Sequence, residues 1–411
     1  MDRAAAEALD HADPLRHLRQ RFELPDDVIY LDGNSLGPLP VGVRERVAEV
    51  VTQQWGHDLI RAWNTHGWFD LPAAVGAKLA PLVGAASDSV SVGDATSVQL
   101  FKLLVAGARL RPDRRVIVTE PGNFPTDSYI VASVARTLGL TVRWWSAADH
   151  PDIRSVLDDD VAVVSLCHVD YRLGAMHDGP AVTAAVHDAG AIMLWDLCHS
   201  VGAVEIDLDG WDADLAVGCG YKYLNGGPGA PAFGYVNRRW HDALDQPIPG
   251  WHGHAAPFAL ERDYRPAAGA RRLQTGSTSV IATAALDTAL DAFDGVAMSG
   301  VRAKSLALTD YFVALVEERL ATFGVTAEVP RDHARRGSQV CLRHPEAYGF
   351  VQALIARGVI GDFREPDLAR FGFTPMYLRF ADVWDTVEHM TAVLDGDEHL
   401  RPENLTRAAV T

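Results

Sequence analysis

Lys222 stands between two tyrosines and ahead of a glycine-rich loop, in the run G-C-G-Y-K-Y-L-N-G-G-P-G at 218–229. Upstream, the apolar run 191–195 delivers Asp196 at its carboxyl end, and His199 follows in D-L-C-H-S-V-G. An amine set among aromatics and glycines is equipped to form a Schiff base with a carbonyl. A carboxylate at the end of a buried strand can hold a protonated ring nitrogen. The pair suits pyridoxal phosphate, which needs both. In D-A-T-S at 94–97, Thr96 and Ser97 open a helical pattern directly after a strand, where free N–H groups and the positive end of the helix dipole face an anion. The same residue types also serve as ordinary helix caps. In the aromatic-rich stretch 60–68, Trp63 and Trp68 suit a pocket lining and plain packing equally.

These groups need a framework that brings them together. Apolar runs predict strands at 90–92, 115–119, 141–145, 161–167 and 191–195, with helices between them at 96–108 and 180–189. Alternation of this kind implies a mostly parallel sheet covered by helices on both faces, with ligands at the carboxyl ends of the strands. Thr96, Phe124, Cys167 and Asp196 all fall at such ends. A further apolar run at 215–217 leads to Lys222, and 233–236 reads as a returning strand. Earlier in the chain, helices are expected at 10–22 and 41–54, separated by a strand that runs into an ordered loop at 28–40. Helices are also expected at 281–293, 305–323 and 349–357, with a short strand at 340–342. From about 299 onward the pattern is that of a smaller α+β domain.

Bulk properties narrow the function classes. The chain has 411 residues, 48% hydrophobic and 22% charged, enough for a large core divided between two domains. A formal net charge of −17 argues against nucleic acid or an anionic membrane as partner. The four cysteines, Cys167, Cys198, Cys219 and Cys341, are scattered, with no pair spaced for a metal, and none is expected. The acidic start M-D-R-A-A-A-E-A-L-D lacks the apolar core of a signal peptide. No apolar run approaches the ~20 residues that span a bilayer. A cytoplasmic location is the expectation.

Six motifs together resemble the kynureninase family over nearly the whole chain. They are L-D-G-N-S-L-G-P at 31–38, N-F-P-T-D at 123–127, D-L-C-H-S-V-G at 196–202, G-Y-K-Y-L-N-G-G-P-G at 220–229, G-W-H-G-H at 250–254 and R-F-G-F-T-P-M-Y at 370–377. The central block alone also fits related families such as cysteine desulfurases; G-N-S-L-G with Y-K-Y-L-N and R-F-G-F-T-P-M-Y is more specific. The resemblance implies an α/β fold of the aspartate aminotransferase type (pyridoxal phosphate fold type I). A large domain at 61–298 would carry a mostly parallel seven-stranded sheet. A smaller C-terminal domain would span 299–411, and a segment at 1–60 would pack on the small domain and the active site.

The same resemblance implies roles for individual residues. Lys222 would carry the cofactor and move the proton at the substrate's Cα, with Tyr221 as a second proton donor. Asp196 would pair with the pyridine nitrogen, and His199 would support this aspartate or the ring. Phe124 would stack on the ring, Asp127 would hold the polar network beside it, and Cys167 would take a position where the family usually has Thr or Ser. Thr96, Ser97 and Tyr221 would bind the phosphate, joined by Trp251 and Ser277 from a second subunit of a homodimer. Arg370 would anchor the substrate's carboxylate, with Arg364 and Arg379 as neighbouring candidates, while Ser35 and Trp63 line its aryl pocket. The implied reaction is hydrolysis of L-kynurenine to anthranilate and L-alanine, a step of tryptophan catabolism, with 3-hydroxykynurenine as a further candidate substrate. Ser277, where other members carry Asn or Thr, together with Trp63 resembles the bacterial, kynurenine-preferring type. The rival readings are a cysteine desulfurase, an aminotransferase and a catalytically silent homologue.

Overall fold

A computed structural model describes residues 2–407; residue 1 and 408–411, the tail of the expected small domain, lie outside the described residues. Its strands in chain order are β1 (Ile29–Tyr30), β2 (Val90–Val92), β3 (Val116–Thr119), β4 (Thr141–Trp144), β5 (Val161–Cys167), β6 (Ile192–Asp196), β7 (Leu215–Cys219), β8 (Ala232–Val236), β9 (Thr326–Glu328), β10 (Gln339–Arg343), β11 (Val359–Ile360), β12 (Asp362–Arg364) and β13 (Leu368–Gly372). Seven of them form one sheet in the order β2-β8-β7-β6-β5-β3-β4. All neighbours run parallel except β8, which is antiparallel to both β2 and β7. The strand–helix alternation is therefore a parallel sheet, as the sequence pattern predicts.

The sheet is buried on both faces because its central strands are mostly apolar at successive positions, and successive side chains go to opposite sides. Ile117, Val163, Ile192 and Leu194 join one core cluster with Leu100, Leu103 and Leu104 of the helix Thr96–Arg109. Val118, Val164, Met193 and Trp195 join the other, with Val75 and Leu79 of the helix Leu71–Leu79. Only the outermost strand, β4, is part-exposed. Within this register Cys167 lies directly beside Asp196, so the ends of β5 and β6 present a thiol and a carboxylate side by side.

A second, antiparallel sheet of order β12-β13-β10-β9 lies in the C-terminal part, with the helices Met298–Arg319, Ala347–Ala356 and Phe380–Asp395. The first helix departs from expectation. It covers Arg3–Ala12, capped by Asp2 accepting from the Ala5 N–H at 2.9 Å, and a separate 3₁₀ turn follows at Arg16–Arg21. Pro14 interrupts a helix over 10–22, because it lacks the N–H and its ring crowds the preceding turn. The long C-terminal helix also starts earlier than the apolar pattern indicates, at Met298, and stops at Arg319.

The N-terminal stretch ties the two sheets together. β1 pairs in parallel with β11, Ile29 against Val359 and Tyr30 against Ile360. The chain then runs across to the large sheet, where the Gly37 N–H donates to the Tyr221 carbonyl at 2.8 Å. A Cβ on Gly37 would fall 2.4 Å from the Lys222 carbonyl oxygen and equally near Asn225 Oδ1. This close approach explains the second glycine of G-N-S-L-G. Gly37→Ala is expected to lose about 1–3 kcal/mol of stability as the loop lifts away, read as a lowered midpoint of thermal unfolding.

Candidate active site

The carboxyl ends of β5 and β6, the first turns of two helices and the 31–37 loop enclose a cavity of about 280 Å³. Its floor carries Asp127, Cys167 and Asp196, whose ligand atoms all lie within 4.8 Å of one another. Asp196 Oδ1 accepts the Cys198 N–H at 2.7 Å, while Oδ2 faces the Cys167 sulfur at 3.5 Å. Asp127, in the first turn of the helix Pro125–Leu138, stands 3.7 Å from the same sulfur. Burial, reinforced by the adjacent Asp196 carboxylate, pushes the Asp127 carboxyl well above its ordinary range. The Cys167 thiol is pushed up by burial and by both carboxylates, so it stays protonated.

Lys222 projects from the loop after β7. Its Nζ lies 3.2 Å from His199 Nε2 and 5.8 Å from the centre of the Tyr221 ring. Burial, together with the lysine and arginine charges nearby, holds the His199 imidazole well below its usual pKa. A neutral ring accepts a hydrogen bond from the lysine amine. His199 thus meets Lys222 on the wall of the cavity that Asp196 also lines. On the opposite wall the Phe124 ring meets Tyr171 edge-on at 5.3 Å and is 45% exposed, leaving an apolar face turned to the cavity.

Thr96 and Ser97 form the first turn of their helix, where backbone N–H groups have no acceptor within the helix, and the cap residue Ala95 offers no side-chain acceptor. They and Tyr221 are shared with an adjoining, more open cavity of about 520 Å³ that Ser277, Thr278 and Ser279 border. At the far side of the first cavity stand Ser35, Arg364 and Arg370, linked through Asp362. Arg379 is elsewhere, pairing with Asp382 at the start of Phe380–Asp395.

Trp63 and Trp251 do not line this cavity within the chain. Their rings meet each other at 5.7 Å in a group that also holds Trp68, Phe69 and Phe258. Conversely, Asn34, Thr126, Tyr171 and Cys198 line the cavity without having been singled out. Asn34 and Thr126 sit inside the quoted motifs, and Cys198 is carried along with Asp196. Asn34 is wholly buried with both amide atoms unpaired, an orphan that only side-chain geometry reveals. Tyr171 had no signal: the loop after β5 folds back, with the Asp170 N–H donating to the Ala175 carbonyl at 2.7 Å, and carries it in.

Comparison with known proteins decides the family. A model for the kynureninase C-terminal domain matches residues 301–390. A kynureninase of Burkholderia mallei is 52% identical over 413 aligned residues, covering 100% of this chain and 99% of that protein. One from Pseudomonas fluorescens is 48% identical, covering 98% of each. The chain belongs to the kynureninase family. Kynureninases are pyridoxal phosphate-dependent hydrolases, and this chain takes the same cofactor. Among solved structures, a cysteine desulfurase from Thermococcus onnurineus superimposes with a TM-score of 0.78 at 18% identity, over 92% of this chain and 98% of that one. A cysteine desulfurase from Escherichia coli gives 0.75 at 18% identity, over 93% and 98%. At that identity the likeness establishes the fold, which is type I.

The kynureninase cavity fits the cofactor by donor chemistry. The amine of Lys222 suits its aldehyde, and the Asp196 carboxylate at the cavity floor suits its ring nitrogen. The exposed Phe124 face suits a flat ring, and the first turn of Thr96–Arg109 suits a phosphate.

Proposed function

We propose that the chain hydrolyses L-kynurenine, adding water to give anthranilate and L-alanine, with the residues named from the sequence in their expected roles. The observation that carries this is the meeting of Lys222, Asp196 and an arginine pair in one cavity of a kynureninase. When bound, pyridoxal phosphate supplies an electron sink for the pair of electrons left on the substrate's Cα. Lys222 holds the cofactor and then takes and returns the Cα proton, with His199 accepting from its amine. Asp196 fixes the ring nitrogen in its protonated form, while Asp127 and Cys167 fill the space beside it. Phe124 orients the ring, and Thr96, Ser97 and Tyr221 hold the phosphate. Burial pushes the Tyr221 phenol up, which keeps it protonated as a donor to Cβ of the alanine fragment left after anthranilate departs. Arg370 faces the substrate's carboxylate end, and Ser35, which the resemblance puts in the aryl pocket, meets Arg370 there at 2.7 Å. Water is added at the γ-carbonyl before the bond between Cβ and Cγ breaks.

The division into 1–60, 61–298 and 299–411 belongs to the same proposal, supported by the pairing of β1 with β11. So does a homodimer, in which Trp63, Trp251 and Ser277 would complete the partner's site. Its support is the half-open aromatic group, where Phe258 is 76% and Trp251 37% exposed, because rings in water at that density mark a contact surface. A cytoplasmic, kynurenine-preferring enzyme is the corresponding reading. No helix among the described residues is long and apolar enough to cross a membrane, and the charge of −17 sets it against nucleic acid. A desulfurase reading fails on Cys341, whose buried thiol lies within β10, is pushed up to about 12 by burial, and contacts the Arg172 carbonyl. A desulfurase needs a mobile, ionisable cysteine.

Mixing the purified, cofactor-loaded protein with L-kynurenine is expected to yield anthranilate fluorescence and an equal amount of L-alanine. Cofactor absorbance that responds to amino acids, with no anthranilate released, would overturn the substrate and keep the fold.

A further inference from the structure

The open cavity beside the first turn of Thr96–Arg109 has one charged residue in its lining among the described residues, and its sign opposes a phosphate. That residue is Asp94, just ahead of the turn. A phosphate ester is close to doubly charged at neutral pH, so a carboxylate at its edge weakens the site unless something cancels it. Asp94 is fixed where it stands. Its φ of +55° is left-handed, a conformation aspartate tolerates better than most residues. Its carbonyl accepts the Ala232 N–H at 2.9 Å, which pins the turn to β8.

Lys102 answers that charge from the same helix. Its side chain is wholly buried, and its Nζ donates to Asp94 Oδ2 at 2.6 Å and to the Leu273 carbonyl. Burial lowers the Lys102 pKa and the Asp94 carboxylate opposes that shift. A buried ammonium is costly and persists where it is paired. The shape of the turn has other supports. Gln99 Nε2 donates to the Gly93 carbonyl at 2.9 Å, and Gln274 Nε2 reaches Ser91 Oγ and the Val92 carbonyl at 2.7 Å each. The Thr275 hydroxyl donates to Asp94 Oδ1 at 3.3 Å. What Lys102 alone brings to this joint is positive charge.

We propose that Lys102 is the counter-charge of the phosphate turn: it cancels the Asp94 carboxylate, so that the free N–H groups and the positive end of the helix meet the phosphate unopposed. Lys102 and Asp94 are positioning residues that act through the turn. This rests on the reading of Thr96 and Ser97 as the phosphate site. Without the ammonium, Asp94 confronts the phosphate as a like charge where water screens little. Without both charges, the turn is neutral again.

The test titrates the full chain, stripped of cofactor, with pyridoxal phosphate and with pyridoxal, which has the same ring and aldehyde but no phosphate. Binding is followed by absorbance for the native chain, Lys102→Met, Asp94→Asn and the double variant. Lys102→Met keeps the length of the side chain without its charge. It is expected to weaken pyridoxal phosphate about 10- to 100-fold while pyridoxal changes by less than about threefold. Adding Asp94→Asn to it is expected to restore most of the loss, and Asp94→Asn alone to bind pyridoxal phosphate at least as tightly as the native chain. Equal weakening of both ligands by Lys102→Met, or a double variant no tighter than the single one, would overturn the counter-charge and leave the lysine a role in packing alone. Should Lys102→Met not fold, the double variant decides: pyridoxal phosphate bound more than about tenfold more weakly than by the native chain overturns the proposal, and near-native binding supports it. A native chain that binds both ligands equally well would overturn the phosphate reading itself, a failure visible before any variant is made.

Discussion

Lys222→Ala is expected to release anthranilate from L-kynurenine at least about 10⁴-fold more slowly than the native chain, combining the loss of a positioned proton carrier with that of the covalent anchor. The variant should still fold, because the lysine side chain is half-exposed at a cavity wall and makes one side-chain hydrogen bond, to His199 at 3.2 Å. Unchanged far-ultraviolet circular dichroism alongside the lost activity would separate chemistry from collapse. The cofactor should also wash out of this variant on dialysis, where the native protein retains it. A variant with a tenth of native turnover would mean that another base serves Cα, and His199 would be the first to examine.

Asp196→Asn carries the second large effect. The asparagine oxygen can still accept the Cys198 N–H, which Asp196 takes at 2.7 Å, so the loop keeps its shape. The charge opposite the ring nitrogen is lost. Removing one partner of a buried ion pair costs about 3 kcal/mol or more, so affinity for pyridoxal phosphate is expected to fall at least about 100-fold, measured by absorbance titration. Turnover at saturating cofactor should fall as well, because an unprotonated ring draws electrons less strongly. Affinity left at the native level would place the ring nitrogen against Asp127 instead, which the shared floor of the cavity allows.

Local patterning made most of the large sheet legible. The strand at 215–219 is an unbroken apolar run and that at 161–167 is interrupted only by Ser165, and the helices that alternate with the earlier strands imply their parallel direction. Asp196 and Cys167 were readable because each ends such a run. The N-terminal helix was misplaced since amphipathic spacing extends past Pro14, and the spacing carries no trace of the break. The carboxylate end of the cavity was only half legible. Arginines at 364 and 370 are visible in sequence, but how they are held depends on Asp362 and on the Tyr171 carbonyl. These come from separate segments, and no periodicity links them. Trp63 and Trp251 show the reverse: residue type and motif pointed to the site, while within one chain they pack on each other.

The pairing of β1 with β11 carries a consequence for how the enzyme comes into being. Ser35 and Arg370, which meet at the cavity wall, are 335 residues apart in the chain. A nascent polypeptide emerging from the ribosome would have its entire large sheet in hand before β11 to β13 were synthesised. Contacts of such sequence separation are slow to close. The 31–37 loop can seat its Gly37 end on Tyr221 as soon as the large sheet forms, but the partners of Leu31 and Ser35 arrive only with β11 to β13, so the wall proposed to face the substrate is assembled last. A ribosome-stalled chain ending near 330 should accordingly acquire its parallel sheet yet remain unable to select an amino acid.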